Sequence, residues 1–460
     1  MRTLKRKLTS FLLIGLLLCV TGVAVYWKNT SDNVFRKTYV EKRYAHRPVT
    51  EQDSIWVITD LHYFSDKLHD RGKAFQLIKN NTNGIVLDYQ QELMEALIWQ
   101  IEQHRPRLLI IPGDLTFNGE KQSAVELADY LARIEALETQ VYVIPGNHDL
   151  CNGWSKTYYR ESPAPAEQLT PAEFSELFDN MGYSEAISRD SRSLSYAVCP
   201  FEDLMLLMLD SSEYAETDQL NPPVHAGRLT PQTMDWAADM LAYAKTNDLL
   251  VIPVIHHNLM AHNEQINKGF VLDNAADIQK LFSDYALPVS LSGHSHAQNI
   301  ACKQIQGHHI CDIVTGCFAS LSNSIGKITV SPRQIHYKRA PLNVAEWAKA
   351  TRQTNPDLLN YSDYSYQLFF RHRMGMANEQ MYNEHWFDVD TADQIAAFAA
   401  RVNTWYFDGC VPLSDSEKEV LEHDDGYLLL QQQEDSFLRC YLEDVLSANG
   451  ENHCEITIQR

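Results

Sequence analysis

The chain has 460 residues, and 45% of them are apolar, which is typical of a globular protein large enough for one sizeable domain and an additional region. Its 60 acidic and 39 basic residues give a formal net charge of −21. A charge of that sign argues against a nucleic-acid-binding groove, because phosphate backbones require a positive surface. A small anionic substrate held by a local cation remains compatible with this composition.

The first 27 residues have the pattern of a membrane-targeting segment. A basic end over residues 1–7 precedes an uncharged run over residues 8–27, which as a helix would span about 30 Å, the thickness of a bilayer core. The favoured interpretation is a retained signal anchor, which predicts a single-pass protein of the cell membrane with the rest of the chain extracytoplasmic. The alternatives are a cleaved signal peptide, hence a secreted protein, and a lipid-modified Cys19.

A polar linker is predicted over residues 28–50, and an α/β core follows it. From Ser54 onward, short apolar runs alternate with amphipathic segments, a pattern that predicts parallel strands covered by helices. The predicted strands are Ile55–Thr59, Leu108–Pro112, Val141–Pro145, Leu204–Leu209, Leu250–Ile255, Val289–Ser292 and Asp312–Thr315.

Helices are predicted between these strands, with two well-marked starting points. Thr170-Pro171 and Thr230-Pro231 each combine an N-capping hydroxyl with a proline in the first turn, and Glu173 completes a capping box at the first of them. Other predicted helices are Gln90–Gln103 and Ala124–Leu137.

The composition and periodicity of the sequence change near residue 341. A last strand is predicted over Ile328–Tyr337, so that the core domain occupies residues 51–340. Residues 341–460 are rich in aromatic and acidic side chains and have helical periodicity, as in Ala392–Tyr406 and Ser416–Ser447. We therefore expect a mostly helical C-terminal region.

Five of the predicted strands end in polar side chains of the metal-binding kind. In open α/β sheets the carboxyl ends of the strands form the ligand-binding edge, so these side chains are expected to converge. The five segments, in chain order, are Asp60-Leu61-His62, Gly113-Asp114, Gly146-Asn147-His148-Asp149, His256-His257-Asn258 and Gly293-His294-Ser295-His296.

The donor types in these segments indicate the kind of metal. With the spare positions of the segments set aside, two aspartates, one asparagine and four histidines remain as candidate ligands. They offer nitrogen and oxygen ligands without a thiolate, a set that suits Mn, Fe or Zn. Seven ligands are too many for one transition metal, but they fit two divalent ions that share a carboxylate. Two such ions and two carboxylates leave a positive surplus, which is complementary to a phosphate ester. A water between the ions would be partly ionised near neutral pH and able to attack phosphorus.

In this order the five segments resemble the calcineurin-like metallophosphoesterases, over roughly residues 50–340. The stretch from Gly113 to Glu120 is similar to the exported bacterial branch of that family. The resemblance implies a four-layer α-β-β-α sandwich of two mixed sheets. It also implies one metal bound by Asp60, His62, Asp114 and His296, and a second bound by Asp114, Asn147, His256 and His294.

The resemblance further implies that His148 protonates the leaving oxygen, with Asp149 as a candidate orienting group. Thr116 and Asn118 follow the shared carboxylate; loop roles are expected for them, and contact with the site is the alternative. Tyr63 is expected either in the core or lining the pocket, and His225 at the surface or in the core.

The sequence thus predicts a metal-dependent hydrolase of phosphoric esters. A phosphodiester is favoured over a monoester because an acid for a poor leaving group is present. The expected partner is a phosphate-ester small molecule or a lipid head group, and no nucleic acid. The alternative is a surface binding protein that retains a structural metal cluster without turnover.

Overall fold

The computed structural model describes residues 47–214, 221–321, 323–385, 389–410, 412–433, 436–447 and 452–460. The predicted segments over residues 1–7 and 8–27, and nearly all of the linker over residues 28–50, therefore lie outside the described residues.

One sheet has six strands and mixes parallel with antiparallel pairing. Its order is β15-β14-β13-β1-β2-β3, in which β1, β2 and β3 are parallel and the other three pair antiparallel. Its parallel strands are short and buried, as the apolar runs predict. The strands are β1 (Ile55–Val57), β2 (Leu108–Ile111), β3 (Gln140–Val143), β13 (Ser324–Val330), β14 (Gln334–Pro341) and β15 (Glu455–Gln459).

The other large sheet has seven strands in the order β11-β12-β10-β9-β8-β7-β6. Strands β8, β9, β10 and β12 are parallel, while β6, β7 and β11 pair antiparallel at the two sides. A separate hairpin joins β4 (Lys156–Tyr159) to β5 (Ser162–Pro165). The seven strands are β6 (Ser188–Arg189), β7 (Tyr196–Phe201), β8 (Leu204–Leu209), β9 (Leu250–Ile255), β10 (Val289–Ser292), β11 (Asn299–Ile305) and β12 (His308–Val314).

Helices between the strands cover the sheets. The helix α3 contacts β3, and α5 contacts β8 and β9, where Trp236 and Leu241 enter a buried apolar cluster. These observations confirm the predicted α/β fold with two mixed sheets between helices. The helices are α1 (Lys73–Lys79), α2 (Gln90–His104), α3 (Lys121–Glu135), α4 (Pro171–Leu177), α5 (Pro231–Thr246) and α6 (Ala275–Asp284), with short 3₁₀ turns at Asp66–Leu68 and Tyr183–Glu185.

The two marked helix starts are confirmed. The Thr170 hydroxyl accepts a hydrogen bond from the Glu173 backbone N–H, and the Glu173 carboxylate accepts one from the Thr170 backbone N–H. The two bonds form a complete capping box. The Thr230 hydroxyl caps α5 by accepting from the Thr233 backbone N–H, without a capping box, and a proline occupies the first turn of both helices. Both helix starts can be predicted from the sequence because each depends on residues only three positions apart.

The C-terminal region is helical, as expected, and has its own core. Side chains of Phe398, Tyr406 and Leu442 belong to a buried cluster that joins its helices. The pattern over Ser416–Ser447 is divided into three helices, with Asp424 capping the second of them. The helices are α7 (Val344–Ala350), α8 (Pro356–Leu359), α9 (Tyr361–Asn383), α10 (Val389–Phe407), α11 (Asp415–Glu422), α12 (Asp425–Leu430) and α13 (Phe437–Ser447).

The prediction of one last strand over Ile328–Tyr337 is wrong, because this segment is a hairpin. Strands β13 and β14 pair antiparallel, from Val330 opposite Ile335 to Ser324 opposite Pro341. The turn lies at Pro332, which has no backbone N–H to donate to a neighbouring strand. Strand β15 then adds to β14, so the C-terminal region contributes the outermost strand of the six-stranded sheet.

The prediction of a single-pass membrane protein is corrected. Within the residues that the structure describes, no helix combines the length and apolar character needed to cross a bilayer. The longest of them, α9, carries Asp363, Arg371, Arg373 and Glu379 along its length. The segment over residues 8–27, on which the prediction depended, is not among the described residues.

Among the described residues there is one disulfide, between Cys302 and Cys311, which lie directly opposite each other on β11 and β12. The sequence alone left every pairing open. The other described cysteines are thiols outside any disulfide, namely Cys151, Cys199, Cys317, Cys410, Cys440 and Cys454.

We predict that β15 contributes measurably to stability through Ile458. This side chain is 4% exposed, whereas Ile456 on the same strand is only partly buried. Ile458→Ala should lower the free energy of unfolding by about 2–4 kcal/mol, because it leaves a cavity in the core. The matched variant Ile456→Ala should cost clearly less. Urea denaturation measures both, and equal losses would contradict the placement of β15.

Candidate metal centre

All seven predicted ligands gather at the carboxyl ends of β1, β2, β3, β9 and β10. Possible ligand atoms of six of them fall into two groups, each within 4.8 Å, that have Asp114 in common. The Asn147 Oδ1 atom joins the second group at 3.1 Å from His256 Nε2. The groups are Asp60, His62, Asp114 and His296, and Asp114, His256 and His294.

The first group has two imidazoles that point at one another. The Nε2 atoms of His62 and His296 are 3.0 Å apart, and His62 Nε2 is 3.7 Å from Asp114 Oδ2. His296 Nε2 is 3.5 Å from Asp60 Oδ1. Two nitrogen lone pairs and two carboxylates directed at one small volume repel each other, so the arrangement favours a cation among them.

The second group is oriented by backbone carbonyl groups. His256 Nδ1 lies 2.9 Å from the Pro112 carbonyl oxygen, which leaves Nε2 to face Asp114 Oδ2 at 3.5 Å. His294 Nε2 lies 3.0 Å from the Gly269 carbonyl oxygen, so Nδ1 is its free nitrogen. A carbonyl acceptor behind an imidazole fixes the tautomer that a metal ligand needs.

The backbone at the site adopts an uncommon conformation. Five of the seven ligand residues have a positive φ, and none of the five is glycine. Such conformations cost about 1 kcal/mol or more each and persist only where surrounding contacts impose them, typically at functional sites. The residues are Asp60 (54°), His62 (41°), Asp114 (48°), His294 (68°) and His296 (62°).

Two glycines allow the strand ends to approach this closely. A Cβ atom on Gly146 would lie 2.2 Å from Asp114 Oδ1, and one on Gly113 would lie 2.5 Å from His256 Nδ1. Gly113 also has a φ of 104°. Any side chain at either position would therefore displace a proposed ligand.

His148 lies beside the first group, with its ring centroid 5.1 Å from that of His62. Its backbone N–H donates to Asp114 Oδ1 at 2.9 Å, so the shared carboxylate also positions this residue. Its Nδ1 atom is 2.9 Å from Asn118 Oδ1 and 3.0 Å from the Phe117 carbonyl oxygen. These two acceptors place the Nδ1 proton and leave Nε2 for other contacts.

The expected role of Asp149 is revised by its contacts. The buried carboxylate accepts hydrogen bonds from the backbone N–H groups of Leu115, Thr116 and Gly146 and from the Thr116 hydroxyl. It therefore joins the two loops that carry Asp114 and Asn147, while Asn118 contacts the imidazole. For Asn118 the sequence favoured a loop role and left contact with the site as the alternative, and this contact is what the structure shows.

Burial and neighbouring charges together set the protonation states of the site. Burial lowers the pKa of His62 to about 3, and it lowers the pKa of His294 and His296 well below the usual value, with Arg373 adding to the effect on His296. Burial opposes ionisation of Asp114 as well, but the charges of His256 and His148 outweigh it and hold the pKa well below its ordinary range. Neutral imidazoles and an ionised carboxylate are the forms that bind metals.

Two carboxylates near one another limit each other's ionisation in the absence of a cation. Burial, together with the charge of Asp114, raises the pKa of Asp60 to about 7. Burial also opposes a charge on His256, yet Asp114 raises the pKa of this imidazole to about 9. The donor set thus fits two divalent cations that share Asp114, since added positive charge would relieve the repulsion.

Two further histidines lie against the proposed ligands. The ring centroids of His257 and His225 lie 4.4 Å and 4.5 Å from the ring centroid of His294. His257 Nδ1 is 2.8 Å from the Ser211 hydroxyl oxygen. The sequence gave His225 a surface or core role and contained no motif that distinguished it. Tyr63 is buried with its hydroxyl donating to Glu126, which is the core role.

A cavity of about 480 Å³ opens over the two groups. The α/β core lines one side of it with His62, Asp114, His148 and His294. The C-terminal region lines another side of the cavity. The sequence did not predict this contribution, because its pattern there indicates only the packing of helices. The lining residues of this region are Arg373, Met376, Tyr406, Phe407 and Tyr441.

Comparison with known families agrees with this geometry. The family model of calcineurin-like phosphoesterases matches residues 54–298, which is more than half of the chain. The chain belongs to the calcineurin-like phosphoesterases. This confirms the predicted enzyme class, a metal-dependent phosphoesterase, while the exported bacterial branch stays a prediction. Residues 343–452 match a second model, the C-terminal domain of cyclic nucleotide phosphodiesterase.

Several solved structures are similar to this phosphoesterase. A dimetal phosphatase from Danio rerio shares 12% identity at a TM-score of 0.45, and the match covers 64% of this chain and 97% of that one. A purple acid phosphatase from yellow lupin shares 13% at 0.42, covering 64% and 53%. A putative 5′-nucleotidase from Staphylococcus aureus shares 13% at 0.38, covering 68% and 57%, so the phosphoesterase spans little more than half of the last two. No curated protein matches the sequence.

We predict that Gly146→Ala weakens metal binding by about tenfold or more, because its methyl group displaces the Asp114 carboxylate. Titration of the full chain with Mn²⁺ by calorimetry measures the affinity. Gly375→Ala is the matched control, since a Cβ atom there would lie more than 4 Å from every described atom beyond its chain neighbours and the backbone of its own helix. Equal Mn²⁺ affinity in both variants would refute the assignment of Asp114.

Proposed function

We propose that this phosphoesterase hydrolyses phosphodiesters at a dinuclear centre, with cyclic nucleotides as the leading substrate class. The observation that carries the proposal is the pair of ligand groups that share Asp114, with His148 beside them. The match of residues 343–452 to a domain of cyclic nucleotide phosphodiesterase supports the substrate class.

The ligand assignment follows the two groups. One divalent cation, Mn, Fe or Zn, would be held by Asp60, His62, Asp114 and His296, and a second by Asp114, Asn147, His256 and His294. When bound, such ions supply Lewis acidity toward phosphoryl oxygens and a water of lowered pKa.

His148 is proposed to protonate the leaving oxygen. Its Nδ1 proton is directed to Phe117 O and Asn118 Oδ1, so Nε2 is the nitrogen available to a substrate in the cavity. The ribose oxygen that leaves a cyclic nucleotide is a poor leaving group and gains most from a positioned acid. Asp149 acts indirectly, since it fixes the loops on which His148 and Asp114 lie.

The cavity supports a substrate with a flat apolar part next to the phosphate. Aromatic side chains of Phe117, Trp154, Phe270 and Phe407 line it alongside the ligands. Such rings offer stacking surface to a nucleobase. A binding protein without turnover, the alternative from the sequence, has no need of His148 held by two acceptors beside a complete ligand set.

We predict that the Mn²⁺-loaded full chain hydrolyses bis-p-nitrophenyl phosphate and 3′,5′-cyclic AMP, and that EDTA removes both activities. Asp114→Asn should abolish most of the activity, because the shared ligand loses its charge. Asp284→Asn is the control, since this exposed carboxylate contacts only Lys280 among the described ion pairs. A chain that binds Mn²⁺ but turns over no mono- or diester would instead support the binding protein.

We predict a dependence on the leaving group for His148→Gln. Loss of the acid should reduce kcat on cyclic AMP by about 10²–10⁴-fold, and much less on bis-p-nitrophenyl phosphate, whose leaving group departs without a proton. Asn118→Ala should also reduce kcat on both substrates, but by smaller factors than His148→Gln does. Equal losses on both substrates would rule out the proton-donor role and leave His148 as a binding residue.

A further inference from the structure

The C-terminal region places a guanidinium group in the wall of the catalytic cavity. Arg373 lies on α9, and it lines the same cavity as His62, Asp114 and His296. An arginine from a separate helical region thus shares the space over the first ligand group.

Arg373 is held in place by aromatic rings. The guanidinium carbon lies 4.1 Å from the centre of the Phe407 ring and 4.6 Å from that of Phe369. The same two rings are 5.2 Å apart and tilted by 56°. Aromatic faces fix the position of a guanidinium and leave its N–H edges free for other acceptors.

Those N–H edges have few acceptors in the described part of the chain. Nη2 donates to the Asn83 carbonyl oxygen at 3.3 Å, and Nη1 contacts the Met376 sulfur at 3.5 Å. Nε is buried and has no hydrogen-bond partner among the residues that the structure describes. No carboxylate of the described residues pairs with this cation, although a guanidinium has five N–H donors to satisfy.

A partly buried cation without a carboxylate partner is costly unless a ligand supplies the missing charge. Burial lowers the pKa of Arg373 to about 10, so the group is still charged at neutral pH. The planar fork of a guanidinium matches the oxygens of a phosphate group. The ligand that enters this cavity would therefore satisfy both its charge and its free donors.

We propose that Arg373 binds the phosphate group of the substrate, so that the C-terminal region forms part of the phosphate site. This inference rests on the proposed phosphoesterase function and adds a substrate-binding residue to it. The aromatic pair Phe369 and Phe407 then has a positioning role, because it holds the guanidinium against the cavity.

The test compares Arg373→Met with Arg371→Met in the Mn²⁺-loaded full chain. Arg371 lies on the same helix and is exposed, with its Nε donating to the Gln367 carbonyl oxygen. Arg373→Met should raise KM for bis-p-nitrophenyl phosphate by about tenfold or more, and weaken binding of inorganic phosphate by a similar factor. Arg371→Met should leave both unchanged. Equal Mn²⁺ content in all samples excludes an effect through the metal.

Arg373→Lys is the second variant, in case the methionine disturbs the packing on the two rings. Lysine keeps the charge but loses the fork, so phosphate should bind several-fold more weakly than in the wild type. Wild-type phosphate affinity in both Arg373 variants would overturn the inference. Equal weakening in the Arg371 variant would do the same, since it would reveal a general charge effect.

Phosphate binding also separates this inference from the function on which it rests. A wild-type chain that binds phosphate through Arg373 but hydrolyses no ester would support the role of Arg373 and refute the proposed function. If Arg373→Met hydrolyses esters with the wild-type KM and phosphate affinity, the result would support the proposed function and refute the role of Arg373.

Discussion

The arrangement of the whole site depends on the buried carboxylate of Asp114. Its Oδ2 atom lies 3.5 Å from His256 Nε2 and 3.7 Å from His62 Nε2, so it belongs to both ligand groups, while Oδ1 accepts the His148 backbone N–H. The close approach of Gly146 permits this position. One side chain therefore couples the two proposed metal positions with the proposed acid, and a shift of a few tenths of an ångström at this point would alter all three.

The sequence predicted the core of the site because its signals are local. Apolar runs identify buried strands, and polar residues at their ends identify the ligand-binding edge of a parallel sheet, which is how Asp60, Asp114 and His256 were found. The division of roles between Asp149 and Asn118 was not predictable in this way. Neighbours in sequence do not reveal which of two polar side chains turns toward an imidazole, since that depends on how the loops fold over each other.

The C-terminal region shows the same limit at a larger scale. Its helices are predictable from periodicity, but the return of β15 to the six-stranded sheet and the position of Arg373 in the cavity depend on contacts between distant residues. Asn83 and Arg373, for example, are 290 positions apart. The region therefore looks like a separate appendage in the sequence, whereas in the structure it contributes both to the six-stranded sheet and to the wall of the cavity over the ligand groups.

The pairing of β1 with β13 has a consequence for biosynthesis. Ile55 lies opposite Ile328, so the side of β1 that faces β13 is left without its partner until more than 270 further residues have been made. Contacts over such separations close slowly, and an unpaired apolar strand is a site for intermolecular association in the interval. Nascent chains of this protein are thus expected to need protection by chaperones while the second half emerges from the ribosome.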